Sequence, residues 1–335
     1  MKEQNLRITL LTHTHPDGDA VGSTTGLYHY LEHLGHRPTL VLPDACPENL
    51  QHLLPERLCI HNQDPEQGDA LLENCDLLVC LDFNQLKRSG SAEAAATRSQ
   101  AKKILVDHHI NPERTAFEEV YSEPVRSSTC ELVYYLLLQQ PDVNGKAQNL
   151  PFQTLYSLTT GLLTDTNNFN NSTTPATFRM AADVCEQGID LDEITGRLYR
   201  SSRPNRLDLM GYLLNERRLR FPELGAEIMT FSLADQKKFD YLSGESEGFV
   251  NLPLQTKQVH LSGLFTETTE GYVRVSLRSK RGFSANRLAQ QYFNGGGHEN
   301  AAGGRLYLPI QEVPAYFENA VRAFMEQSEN RAQVL

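Results

Sequence analysis

Ile104-Leu105-Val106-Asp107-His108-His109 sets three side chains able to bind a metal or move a proton directly behind an apolar run. Such a run, ended abruptly by charge, reads as a short buried strand whose carboxyl end faces a ligand. The same reading recurs along the chain. Leu77-Leu78-Val79-Cys80-Leu81 runs into Asp82, and Ile8-Thr9-Leu10-Leu11 runs into Thr12-His13-Thr14-His15-Pro16-Asp17-Gly18-Asp19-Ala20. Asp165 closes Gly161-Leu162-Leu163-Thr164. Three strands that each release an acid or an imidazole at the carboxyl end describe one crevice of an open α/β sheet, the place where such folds bind ligands.

Around these runs, apolar and amphipathic stretches alternate up to about residue 125. The pattern predicts strands near 6–12, 38–42, 77–81 and 103–106, helices near 20–34 and 91–100, and small helices before 74. Alternation of this kind gives βαβ units on a mostly parallel sheet. Helices are predicted near 127–139, 152–164, 175–187, 190–199 and 204–218, the last leading into Arg217-Arg218-Leu219-Arg220. Beyond Gly225 the pattern shifts to strands near 226–232, 258–266 and 271–278, then a helix near 284–293, a strand near 304–308 and a helix near 311–327. With 335 residues, the chain exceeds what one core usually supports. The division expected is a catalytic domain over 1–200, a connector helix over 201–222 and a smaller α+β domain over 223–335.

Charge narrows the partners. Forty-two acidic against 31 basic residues give a net charge of −11, which disfavours a long duplex bound through a broad basic face. A small anionic substrate fits if metal ions reverse the local sign in a carboxylate-rich pocket. The six cysteines form no Cys-x-x-Cys pair, no stretch is apolar enough to span a bilayer, and the N-terminus lacks a signal-peptide pattern. A cytoplasmic protein without a membrane partner is the expectation.

Each acidic element has an ordinary explanation. Asp17-Gly18-Asp19 suits a turn and helix N-cap, Asp82 a strand-ending turn, Asp165 a helix end and His109 an exposed loop. Four such elements, all at strand or helix exits, require a joint explanation. Phosphoester cleavage by two cations about 3.5–4 Å apart supplies one, because a carboxylate must bridge the ions and others must flank them. Asp17 and Asp19, two residues apart on extended chain, project the same way and can serve different ions.

The full pattern resembles the DHH phosphoesterase superfamily, with His13 to Ser23 matching its first motif, Asp82 its second, Asp107-His108-His109 its third and Asp165 its fourth. The resemblance implies one ion on His13, Asp17 and Asp82 and another on Asp19, Asp82, His108 and Asp165, with Asp82 shared. It implies that Asp107 orients an imidazole and that His109 faces the substrate phosphate, in a two-metal mechanism with a bridging hydroxide. Oxygen-rich ligation with two imidazoles suits Mn²⁺ best, and resemblance to the family points the same way, with Mg²⁺, Co²⁺ and Fe²⁺ as alternative occupants.

Asn294-Gly295-Gly296-Gly297-His298 is the second signal. Serial glycines let backbone N–H groups approach an anion, although a helix C-cap after Phe293 is the plainer use. The segment is similar to the glycine-rich motif of the DHH-associated C-terminal domain, which implies that Arg278 and His298 hold a terminal phosphate. Arg88 is a further candidate, equally explained as a solvated loop arginine. The branch most similar is the nanoRNase and pAp-phosphatase type, which cuts short oligoribonucleotides to monophosphates and converts 3′-phosphoadenosine 5′-phosphate to AMP. A cyclic di-AMP or linear dinucleotide phosphodiesterase is the nearest rival. A RecJ-like single-strand exonuclease ranks lower, and a non-catalytic nucleotide sensor lower still, because no metal ligand is missing. Homodimers are frequent in the family.

Overall fold

The computed structural model describes residues 5–200 and 203–327. The chain divides into two compact units, Met1–Ser201 and Ser202–Leu335.

Six strands make the first sheet: β1 Arg7–Leu11, β2 Arg37–Leu42, β3 Leu58–Ile60, β4 Leu77–Leu81, β5 Lys102–Asp107 and β6 Glu119–Ser122. Their order is β3-β2-β1-β4-β5-β6, and every neighbouring pair is parallel. The apolar runs are continuous because both faces of the sheet are covered. In β4, Leu77, Val79 and Leu81 enter one core with Leu10, Leu40 and Val21, while Leu78 and Cys80 enter another with Leu72, Ala95 and Phe83. From β1 the chain steps to β2 on one side, and from β4 to β5 on the other. The order therefore reverses between β1 and β4, and the crevice at that switch point opens at their carboxyl ends, just where His13 and Asp82 follow.

Close helix packing brings the remaining motif alongside. The helix Gly18–His33 lies against the helix Phe152–Asp165. A Cβ at Gly161 would sit 2.3 Å from the Cys130 Sγ, 2.9 Å from the Gly18 carbonyl oxygen and 3.0 Å from the Asp19 Cα. Only a residue without a side chain lets these backbones approach so closely.

The second unit holds a mixed sheet of β7 Arg218–Phe221, β8 Ala226–Phe231, β9 Leu261–Glu267, β10 Val273–Ser279, β11 Gly296–His298 and β12 Ala301–Leu306. They run in the order β11-β12-β10-β9-β8-β7, with only β8 and β9 parallel. Val273, Val275 and Leu277 alternate inward onto the helices Ala285–Tyr292 and Val313–Glu326. Three expectations shift. Residues 218–221, grouped with the connector helix, form an edge strand against β8, because Arg218 and Arg220 both pair with Glu227 of that strand. The glycine-rich segment contributes strand β11, and the strand placed near 304–308 starts at Ala301. Strands β3 and β6 lacked a readable signal, being three and four residues long at the two edges of the sheet.

Candidate metal centre

Asp17, Asp19 and Asp82 are fixed by backbone geometry before any ligand is considered. Asp17 is the N-cap of the Gly18–His33 helix and accepts from the amides of Asp19 and Ala20 at 3.1 and 3.0 Å. The ordinary reading of that motif is therefore also correct. Asp82 extends the sheet by one step, its amide donating to the Val106 carbonyl at 3.1 Å, and then turns at φ 65°. A non-glycine residue in the left-handed region costs of order 1 kcal/mol or more, a strain typical of functional positions. Asp19 is held by both carboxylate oxygens: Thr129 N donates to Oδ2 at 2.7 Å and Cys130 N to Oδ1 at 2.9 Å. Those amides belong to the first turn of the helix Thr129–Leu138, where unpaired N–H groups and the helix dipole favour an anion.

The imidazoles are oriented with equal definition. His13 Nδ1 lies 2.8 Å from the Thr14 carbonyl oxygen and His108 Nδ1 3.3 Å from that of Arg126, so each carries its proton on Nδ1 and turns Nε2 toward the carboxylates. Around His13 Nε2 stand Asp82 Oδ2 at 3.4 Å and Asp17 Oδ1 at 4.0 Å. Around His108 Nε2 stand Asp165 Oδ2 at 3.5 Å, Asp82 Oδ1 at 3.7 Å and Asp19 Oδ2 at 3.8 Å. One oxygen of Asp82 thus faces each group.

His109 is arranged differently. Its Nδ1 donates to Asp107 Oδ1 at 2.6 Å, and Arg88 NH1 donates to its Nε2 at 3.2 Å. Asp107 is wholly buried, and its other oxygen, Oδ2, has no hydrogen-bond partner. Arg88 is tied to the first motif through its carbonyl, which accepts from Thr14 N at 2.8 Å.

Electrostatics shows what the cluster lacks. Burial pushes the Asp19 carboxyl well above the usual carboxylate range, and the nearby charges of Asp82 and Asp165 push it further. Burial also disfavours ionised Asp82, but the imidazoles of His13, His109 and His108 around it, which carry positive charge when protonated, outweigh it and hold that carboxyl far below the usual range. His13 and His108 are raised despite desolvation, the first by Asp82 and Asp17, the second by Asp165 and Asp82. Carboxylates crowded around the buried Asp19 and Asp82 call for positive charge. Nitrogen–oxygen separations of 3.4–4.0 Å leave room for a cation about 2.0–2.2 Å from each donor. Two of the ligand groups fit a pair of cations, His13, Asp17 and Asp82, and Asp19, His108 and Asp165, with Asp82 between them, and a further group joins Asp82 to Asp107 and His109.

Thr129 and Cys130 were not among the residues expected here. Thr129 Oγ1 also donates to Asp82 Oδ1 at 2.9 Å, so one residue touches both buried carboxylates. The signal was present in Ser128-Thr129-Cys130-Glu131, which reads as the opening of a helix, and a helix start beside crowded carboxylates offers amides to them.

In the second unit, Arg278 on β10 and His298 on β11 both pair with Ala301 of β12. Directly opposed residues share a face, so the two basic side chains flank a methyl group on the side away from Leu277 and the core. The glycines also serve packing. Gly295 N donates to the Ala289 carbonyl at 3.2 Å and Gly297 N to Asn286 Oδ1 at 2.9 Å, while Gly296 pairs with Gly303. A Cβ at Gly295 would stand 1.8 Å from the Gly303 carbonyl oxygen.

Comparison with known proteins follows the same division into two units. The DHH family N-terminal domain matches residues 7–162, and the DHHA1 domain matches 228–329. The bifunctional oligoribonuclease and PAP phosphatase NrnA of Thermus thermophilus is 31% identical over 302 residues, which is 89% of this chain and 84% of that protein. The chain belongs to the DHH family. The Bacillus subtilis protein of the same name is 26% identical over 90% of this chain and 89% of its own. Among solved structures, an exopolyphosphatase-related protein of Bacteroides fragilis superposes with a TM-score of 0.88 at 35% identity, covering 95% of this chain and 92% of that one. The DHH match takes in His13, Asp17, Asp19, Asp82 and Asp107-His108-His109 and stops three residues short of Asp165, while the DHHA1 match takes in Arg278, Gly295–Gly297 and His298. Among the described residues, no helix is long and apolar enough to cross a membrane.

Proposed function

We propose that this DHH protein is a divalent-metal-dependent phosphoesterase that cuts short oligoribonucleotides to nucleoside monophosphates and removes the 3′-phosphate of 3′-phosphoadenosine 5′-phosphate. The observation that carries the reading is the placement of Asp82, one oxygen toward the His13–Asp17 group and the other toward the His108–Asp165 group. Relatives at 31% and 26% identity, both bifunctional oligoribonucleases and PAP phosphatases, support the substrate class. Two cations held there would neutralise phosphoryl oxygens and make a water acidic enough to attack at neutral pH.

The remaining work falls to side chains. With Nδ1–H committed to Asp107, His109 exchanges a proton only at Nε2, which makes that atom the donor to a phosphoryl or leaving oxygen. Arg88, now bonded to His109 Nε2, would redirect its N–H donors to a phosphate oxygen, a role that this contact beside the metal cluster supports. Binding of a terminal phosphate by Arg278 and His298 belongs to the same reading, as do a catalytic domain over 1–200, a connector over 201–222 and a substrate domain over 223–335. The donor set of four carboxylates and two imidazoles suits Mn²⁺. Six unpaired cysteines support a reducing, cytoplasmic setting, and a homodimer is the assembly to test by light scattering.

Purified protein assayed with pApA, pAp, cyclic di-AMP and a long single strand, with Mn²⁺ or with a chelator, tests the proposal. Metal-dependent release of AMP from pApA and pAp is expected. Preference for cyclic di-AMP transfers the protein to the rival phosphodiesterase reading, and nucleotide binding without any turnover makes it a sensor.

A further inference from the structure

Glu131 is a carboxylate with no solvent exposure, beside the candidate centre yet outside every ligand group. A carboxyl group taken out of water is costly unless hydrogen bonds compensate, so a residue of this kind needs a reason that packing does not give. Its position three residues after Ser128 suggests a capping box, in which the acid would return to the Ser128 amide. It does something else. Ser128 Oγ accepts from the Glu131 amide at 3.0 Å, but the Glu131 carboxylate reaches one residue further back. Oε2 accepts from the Ser127 amide at 3.2 Å, from the Ser127 hydroxyl, and from Thr177 Oγ1 of the helix Pro175–Glu186 at 2.8 Å. Oε1 accepts from Arg126 NH1 at 3.2 Å, and that guanidinium lies 4.5 Å from the centroid of the Tyr135 ring.

What these bonds immobilise is the short segment 126–130, which reaches three members of the cluster at once. The Arg126 carbonyl sets the tautomer of His108, the amides of Thr129 and Cys130 hold the two oxygens of Asp19, and the Thr129 hydroxyl holds Asp82. Three acidic or imidazole ligands thus hang from one bend, and Glu131 ties that bend on three sides. We infer that Glu131 is a positioning residue for the cation group built on His108 and Asp19, acting through the Arg126–Cys130 segment and bracing it against the helix Pro175–Glu186. The inference rests on the two-cation reading above and adds an element to it. Contacts that orient metal ligands typically account for ten- to hundredfold in metal affinity, which sets the scale expected.

The test is calorimetric titration of the substrate-free full chain with Mn²⁺, paired with thermal melting without metal. Wild type should show two binding events. Glu131→Gln keeps the shape of the side chain but places an amide against donors. It should weaken one event about ten- to hundredfold, leave the other within about threefold, and keep far-ultraviolet circular dichroism unchanged. Thr177→Val, which cuts only the brace to the neighbouring helix, provides the milder variant should Glu131→Gln fold poorly, and should weaken the same event about three- to tenfold. Equal weakening of both events, or a lowered melting temperature with both affinities intact, makes Glu131 a purely structural residue and overturns the inference. A wild type that binds one cation or none overturns the two-cation reading itself, and Glu131 loses its role with it.

Discussion

Asp82 is the residue on which the site turns, and its backbone shows the cost. At φ 65° and 2% exposure it is strained, buried and surrounded by three imidazoles, a combination with no benefit for folding alone. Asp82→Asn is expected to abolish binding of at least one cation and to lower turnover by a factor on the order of a hundred or more, measured by titration with Mn²⁺ and by pApA hydrolysis. His109 belongs to a different class. Held by Asp107 and Arg88 and outside the two groups assigned to cations, it should tolerate His109→Ala with both cations still bound, while kcat falls about 10²- to 10⁴-fold. Loss of a cation in that variant would move His109 into the ligand set.

Helices and strands decide whether those residues meet. Gly161 lies where the helix Phe152–Asp165 crosses the helix Gly18–His33, with Cys130 Sγ, the Gly18 carbonyl and the Asp19 Cα all within 3.0 Å of the place a Cβ would take. Gly161→Ala gains helix propensity but must push these atoms apart, and overpacking of this kind costs about 1–3 kcal/mol. A lower melting temperature together with weaker Mn²⁺ binding is expected, because Asp19 moves with its helix. A variant that melts higher and binds normally would mean the crossing is looser than it looks. The second unit has its own joint at Asp235, 4% exposed, which accepts from Arg217 through both guanidinium positions at 3.0 Å, from Tyr212 at 2.8 Å and from Ser232 at 2.7 Å. Burial opposes its ionisation, yet Arg217, Ser232 and Tyr212 hold the carboxyl down at about 2. A depressed carboxyl stabilises above its unfolded value of about 3.9 and loses that contribution as pH falls toward 2, an effect of about 2 kcal/mol. Denaturant melts monitored between pH 5 and 2 should therefore show a steeper loss in wild type than in Asp235→Asn. Parallel curves would remove the role assigned to that joint.

For the whole molecule the governing facts are two units and a net charge of −11. A surface that repels polyanions leaves metal ions as the main attraction for phosphate, so kcat/KM should fall with strand length and fall further at low ionic strength. A length series of RNA at two salt concentrations measures this, and undiminished cutting of long strands would contradict it. Much of this was legible in the chain itself. Apolar runs without alternation pointed to strands covered on both faces, and the acids behind them marked strand exits, so the parallel sheet was legible in local pattern, while the grouping of His13, Asp17, Asp19, Asp82, His108 and Asp165 came from the family resemblance. Short edge strands such as β3 and β6 carried too few residues for any period, and the glycine-rich spacing did not reveal that the Gly295 and Gly297 amides bond within the fold. What tertiary structure alone decided is long-range. Thr129 and Cys130 stand 110 and 111 residues from the Asp19 they hold, and Glu131 is 46 residues from Thr177, distances along the chain over which no periodicity or spacing carries information. Composition and pattern select the elements, since those are written in neighbouring residues. Which amide satisfies which buried carboxylate depends on how closely helices pack, and that is settled only when the cores close.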